Sequence, residues 1–185
     1  IVGADVPSLR VRPHHAAARH EPTFSARPVA VALSRRRPNP MAVFTPLSRP
    51  EASAFLTQFA LGELVELEGI ASGIENTNFF LTTDRGRYVL TLFERLTFKQ
   101  LPFYLELMRH LARRHVPVPE PQENRSGSLL SEVKGKPAAI VTRLAGKTVL
   151  EPTVSQCALT GEVLARMHVA GQDFPVFQPH LRGIG

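Results

Sequence analysis

The stretch Glu68-Gly69-Ile70-Ala71-Ser72-Gly73-Ile74-Glu75-Asn76-Thr77-Asn78-Phe79-Phe80 concentrates the residue types that can handle a phosphate. Gly69 and Gly73, four residues apart, let a backbone approach an anion closely, and Ser72 or Asn76 can add a hydrogen-bond donor. The spacing is not G-x-x-x-x-G-K-S/T, so the usual P-loop is excluded. Nor is it G-x-G-x-x-G, and it joins one strand-like run to another, which argues against a dinucleotide-binding fold. Taken alone, a hairpin loop whose Gly and Asn residues merely supply positive φ accounts for the stretch equally well. Phe79 and Phe80 must split between the two faces of a strand, as core or loop anchor before any base-stacking role.

Other reactive groups are sparse. Cys157 is the single Cys, which leaves no internal disulfide and no Cys-based zinc site, and it reads as a small core residue of ordinary reactivity. None of the seven His begins His-x-Asp. His168, beside Leu164 and Met167 on an expected buried helix, reads as a hydrogen-bonded core or interlobe residue rather than a catalyst. Asp173-Phe174-Pro175 reads as the cap of a helix end.

These groups need elements to position them. Ser48-Arg49-Pro50-Glu51 is a helix start, with Ser as N-cap, an early Pro and Glu at the third position. Ala54, Phe55, Phe59 and Leu61 give that helix an apolar face, and Gly62 is expected to end it. Strand-like runs follow at 64–70, 78–83 and 87–93, the last two joined by Asp84-Arg85-Gly86. Leu101, Tyr104, Leu105, Met108, Leu111 and Ala112 form the stripe of a long helix. Its end carries Arg109, Arg113 and Arg114, where the helix dipole favours cations. The Pro-rich run 116–121 stops it. Two strands are expected at 128–133 and 138–143 around a Lys134-Gly135-Lys136 turn, then a connector at 144–147. Thr153-x-x-Gln156 is a capping box opening a helix to about residue 170.

Composition bounds the rest. The chain has 185 residues, 43% of them hydrophobic, which is enough for a core and excludes wholesale disorder. No apolar run approaches the length of a membrane span, so no membrane partner is expected. One Cys suits a reducing cytosol, so the expected location is cytoplasmic. The net charge of +6 is unevenly spread: residues 1–40 hold seven Arg and two acids, a balance of +5, and six of the 16 Pro. Residues 41–185 carry +1, so no specific nucleic-acid partner is expected. A disordered basic tail accounts for residues 1–40. The prolines spoil the amphipathic helix of a transit peptide, and the expectation is upstream sequence preceding a natural start at Met41.

A glycine-bearing strand pair, a third strand, a long helix, two more strands and a connector make the layout of a protein-kinase small lobe. Within that layout the chain reads Leu67-Glu68-Gly69, Gly73-Ile74-Glu75-Asn76-Thr77-Asn78-Phe79-Phe80-Leu81-Thr82 and Tyr88-Val89-Leu90-Thr91-Leu92-Phe93-Glu94-Arg95-Leu96. It continues with Leu101-Pro102-Phe103-Tyr104-Leu105 and Leu164-Ala165-Arg166-Met167-His168. On these residues, nearly all of 41–185 closely resembles the N-terminal part of the bacterial homoserine kinases of the aminoglycoside-phosphotransferase-like (protein-kinase-like) family.

The resemblance implies an α+β fold: a protein-kinase-like N-terminal lobe, with a five-stranded antiparallel sheet and a long helix, over 41–144. Residues 145–185 would be the hinge and the first helix of a truncated C-terminal lobe. It implies ATP-dependent phosphorylation of the L-homoserine hydroxyl in threonine biosynthesis, with ATP and Mg²⁺ as cofactors. By match of position, Gly69, Ser72, Gly73, Asn76 and Asn78 belong to the nucleotide-covering loop, and Arg143 and Leu144 to the hinge that offers backbone to adenine. Glu106 is a positional candidate for the helix acid that pairs with a strand Lys, and equally a solvated residue of the polar face.

Two departures accompany the match. Thr91 stands where that strand Lys is expected, so phosphate neutralisation must come from elsewhere, with Arg95, Lys99 and metal as contributors. The catalytic base and metal ligands of H-x-D-x-x-x-x-N are not in this sequence, so no catalytic residue is assigned and the chain is expected to be a fragment. A kinase for another small alcohol, of choline or aminoglycoside type, and a basic nucleic-acid-binding fragment remain the alternatives.

Overall fold

The computed structural model describes residues 45–71 and 75–179. The expectations for residues 1–40, Ser72 and Gly73 lie outside them. Helix α1 (Arg49–Leu56) starts as its sequence dictates: Ser48 N–H and Oγ both donate to Glu51 Oε2, at 2.8 and 2.6 Å. Strands β1 (Leu64–Gly69), β2 (Asn76–Thr83) and β3 (Arg87–Phe93) follow. Helix α2 (Leu101–Arg113), strands β4 (Ser131–Val133) and β5 (Lys136–Thr142), and helix α3 (Val154–Gly171) complete the order. The strands form one antiparallel sheet in the order β1-β2-β3-β5-β4.

Alternation gives the sheet two faces. Phe79, Leu81, Leu90, Leu92, Ala138 and Ile140 point to one face and bury against Ala52, Phe55, Leu56 and Phe59 of the α1 region. On the other face Ala139 and Phe93 meet Leu105 of α2 and Leu129. Leu81, Leu90 and Ile140 are fully buried, so truncating any of them to Ala costs about 2–5 kcal/mol.

Several boundaries depart from the sequence expectation, each for a local reason. Helix α1 stops at Leu56, before Gly62, because a distant loop takes over its end: Arg125 N–H donates to Gln58 O and Arg125 Nε to Thr57 O. Gly62 instead has φ +88° in the following loop, where a Cβ would come within 1.8 Å of Asp84 Oδ1. That oxygen accepts the Glu63 N–H at 2.8 Å, so only glycine fits there. Strand β4 starts three residues later than expected, because Asn124 Oδ1 draws the Ser126 and Ser128 N–H groups into a tight turn. Lys134 (φ 53°) and Gly135 (φ 74°) form a two-residue hairpin turn, which leaves Lys136 in the β5 ladder opposite Val133.

The largest correction concerns α3. Thr153 and Gln156 make the expected capping box, but among the described residues the helix buries none of its side chains, and neither Cys157 nor His168 is a core residue of this lobe; the interlobe alternative for His168 concerns residues beyond those described. The helix meets the rest of the lobe along α2, which is too narrow a partner to cover a whole helix. His110 Nε2 lies 2.8 Å from Ala170 O, and Arg166 donates to His115 O at 3.0 Å. Asp173 does not cap the helix. Its carboxylate pairs with His110 of α2 and with Arg114, the residue that caps α2, and the Arg114 guanidinium holds its pKa below the ordinary value. Phe174 packs edge-on against Phe103 and His110. None of the described helices is long and apolar enough to cross a membrane.

Glu51 also pairs with Lys134 of the β4–β5 turn at 2.9 Å. Hydrogen bonds from the Ser48 side chain and backbone, then from Lys134, pull its pKa from 4.5 down to about 2. A depressed carboxylate stabilises the fold above its unfolded pKa and loses that contribution as pH falls towards the folded value. Thermal melts between pH 5 and pH 2 should therefore show a shallower acid decline in Glu51→Gln than in the unsubstituted chain. Parallel declines would remove Glu51 from the account.

Candidate nucleotide-binding site

The sheet face that carries Ala139 and Phe93 also carries the expected site residues of β2 and β3. Thr77, Phe79 and Leu81 go to the core, so Asn76, Asn78 and Phe80 must face the other way. The register sets Asn76 opposite Phe93, Asn78 opposite Thr91 and Phe80 opposite Val89. On the next strand Ala139 and Val141 lie beside Thr91 and Val89. One end of this face is therefore polar and the middle is apolar.

At the polar end Thr91 Oγ1 donates to Asn78 Oδ1 at 2.8 Å, and Asn78 Nδ2 reaches Asn76 O at 3.3 Å. Gly69 closes β1 opposite Phe79, and Ile70 N–H donates to Asn78 O at 2.8 Å, so the loop springs from beside Asn78. At the far end Arg143 N–H bonds Arg87 O, and its guanidinium lies 3.7 Å from the centroid of the Phe80 ring. Such a contact contributes about 0.5–1 kcal/mol at an exposed site. Leu144 is exposed, and among the described residues no backbone–backbone bond engages Leu144 or Ala145. From Arg87 to Thr91 is four residues of strand, about 13 Å at 3.3 Å per residue.

This arrangement suits a nucleotide. The apolar middle (Phe80, Val89, Val141) offers a surface for a base, the free connector backbone offers hydrogen bonds to its edge, and the asparagine end faces the loop. Asn76, Asn78, Thr91 and Arg143 are brought to one face, with Leu144 at its margin, whereas Gly69, opposite Phe79, has the core-side register and only adjoins this face at the end of β1. The expected contributors Arg95 and Lys99 are exposed beyond β3. Glu106 does not turn towards Thr91: it pairs with Arg109, which also bonds Glu123 at 2.6 Å, as the solvated reading has it. His168 lines an apolar cavity of about 640 Å³ with Phe103, Leu111, Met167 and Phe177. Among the described residues no group of three or more His, Cys, Asp or Glu could hold a metal ion.

Residues 66–183 match the sequence profile of the phosphotransferase enzyme family, APH. The chain belongs to that family. Among curated proteins this chain is 56% identical over 144 residues to a homoserine kinase of Paraburkholderia xenovorans, covering 78% of this chain and 44% of that one. It is 58% identical over 144 residues to a homoserine kinase of Polaromonas naphthalenivorans, covering 78% and 46%. The chain thus spans just under half the length of these relatives. In fold it resembles the spectinomycin phosphotransferase APH(9)-Ia in complex with ADP and spectinomycin (TM-score 0.55, 13% identity, 68% of this chain and 39% of that one). It also resembles the amicoumacin kinase hAmiN in complex with AMP-PNP and Ca²⁺ (TM-score 0.58, 14% identity, 72% and 42%). The five-stranded sheet with its long helix is the protein-kinase-like N-terminal lobe of a phosphotransferase.

The residues that sequence reasoning missed lie on the opposite face, around Glu94. Its signal was present as the strand alternation, which sends Thr77 away from its two Asn neighbours and towards Glu94.

Thr91→Val keeps shape and removes the hydroxyl, leaving Asn78 Oδ1 without its partner. The lobe should lose about 0.5–1.5 kcal/mol in a urea melt, the net contribution of a half-buried hydrogen bond. Thr91→Ser should stay close to the unsubstituted chain. Equal melts for Val and Ser would show the hydroxyl to be idle.

Proposed function

We propose that the chain is the nucleotide-holding part of an ATP-dependent homoserine kinase, which transfers the γ-phosphoryl group to the hydroxyl of L-homoserine. The observation that carries this reading is the 56–58% identity to homoserine kinases over 144 residues, 78% of the chain. On this reading, residues 41–144 are the small lobe, and 145–185 are the hinge and the first part of the large lobe.

Bound ATP supplies the phosphoryl group, and Mg²⁺ neutralises the phosphates. The chain's own residues hold and orient. Phe80, Val89 and Val141 take the base, the backbone around Leu144 reads its edge, and Asn76 and Asn78 face the phosphates. Thr91, in place of a lysine, orders Asn78 by hydrogen bonding and adds no charge, so cations outside β3 carry the neutralisation. The base that accepts the homoserine proton and the Mg²⁺ ligands lie outside the described residues. We propose the cytoplasm as the place of work, which the single Cys suits.

The test is acceptor-dependent ADP release by the full-length gene product carrying this chain. Turnover with L-homoserine well above that with choline or an aminoglycoside is the expected result. Turnover with choline or an aminoglycoside, and none with homoserine, would move the protein to another branch of the family. The 185-residue chain alone should give no homoserine-dependent ATP consumption, since it carries no His-x-Asp.

A further inference from the structure

Glu94 follows directly on β3 and gathers three other segments on the face away from the nucleotide-facing residues. Its Oε1 accepts from Thr77 Oγ1 at 2.7 Å and from Thr45 Oγ1 at 2.8 Å, while Oε2 pairs with Lys136, the first residue of β5. Thr45 N–H also donates to Thr77 Oγ1 at 3.0 Å, so the hydroxyl of Thr77 both gives and receives. Thr77 is fully buried, and only 11% of the Glu94 side chain is exposed. Burial pushes the Glu94 carboxyl up, but bonds from Lys136, Thr77 and Thr45 outweigh it and hold the group below its ordinary pKa. The carboxylate is therefore charged, paired and fixed in place.

The position of Thr77 gives this cluster its reach. It stands between Asn76 and Asn78, and a strand residue that is held on one face fixes the aim of both neighbours on the other. Glu94 itself lies three residues beyond Thr91, the partner of Asn78. The cluster thus grips both strands of the Asn78–Thr91 pair from behind, at the point where the loop re-enters the sheet.

Resting on the nucleotide reading above, we propose that Glu94, acting through Thr77, is a positioning residue for nucleotide binding, which sets the aim of Asn76 and Asn78 without touching the ligand. A buried hydroxyl–carboxylate pair suits this role. It is directional, and the charge makes it stronger than a neutral hydrogen bond.

The experiment measures ATP affinity by calorimetric titration, with parallel melts, on the full-length gene product. Thr77→Val and Glu94→Gln should each weaken ATP binding about tenfold, with KM for ATP raised and KM for the acceptor steady. Thr77→Ser keeps the hydroxyl and should stay within about twofold. Lys134→Ala is the control for mere stability. Lys134 clamps the same hairpin to Glu51 and to Pro46 O, while Glu94 is served by Lys136, so the loss of Lys134 should lower the melt and leave ATP affinity unchanged. If Thr77→Val and Glu94→Gln lower the melt while ATP affinity holds, as for Lys134→Ala, the cluster is only structural and the inference fails. Should Thr77→Val not fold, Glu94→Gln decides by the same criterion. Titration needs no acceptor, so ATP binding without homoserine turnover overturns the acceptor reading alone. Absence of ATP binding in the unsubstituted protein overturns the nucleotide reading and this inference together.

Discussion

The pairing of β2 with β3 governs everything else in this lobe. Antiparallel register sets Asn78 against Thr91, and strict alternation sends Thr77, Phe79 and Leu81 into the core while their neighbours face the candidate site. A slip of one residue would exchange the two sets, burying two asparagines and exposing two large apolar side chains. The hydrophobic core is thus the device that keeps the polar end of the site polar. Turn chemistry reinforces it: Asp84 holds Glu63 N–H, Thr83 Oγ1 accepts the Arg85 and Gly86 N–H groups, and Gly62 leaves the room this needs.

Electrostatics divides along the same sheet. The face opposite the site carries a buried carboxylate with an ammonium partner, Glu94 with Lys136. The other face carries a neutral bond, from the Thr91 hydroxyl to the Asn78 amide oxygen. A buried ion pair has a high desolvation cost and stays stable only when its remaining lone pairs are satisfied, which the Thr45 and Thr77 hydroxyls do here. Placing the charge behind the strand pair leaves the asparagine end of the site without a cation on β3, whose Arg87 opens the strand at the opposite end.

Much of this was legible from residues alone. The Ser48–Glu51 and Thr153–Gln156 boxes, the α2 stripe and the Asp84-Arg85-Gly86 turn are local signals, and each formed where its sequence puts it. What was not legible depended on partners distant in the chain. Helix α1 stops at Leu56 because Arg125, almost 70 residues on, takes the Thr57 carbonyl. Glu94 looks like any acid at a strand end until the fold brings Thr45, Thr77 and Lys136 to it. Cys157 and His168 sit on a capped, largely apolar helix, and periodicity reports that such a helix has an apolar face without reporting what covers it.

Helix α3 is joined to the sheet by two routes. One is covalent, through the exposed connector after β5; the other is ionic and aromatic, through Asp173 and Phe174 onto α2. Together they close a ring: β5, connector, α3, α2 and back to the sheet through Leu105 and Ala139. A ring of this kind has few independent hinges. Swinging α3 about the connector must either part Asp173 from Arg114 or carry α2 along as a lever, which transmits motion at the connector to the flank of the strands bearing Thr91.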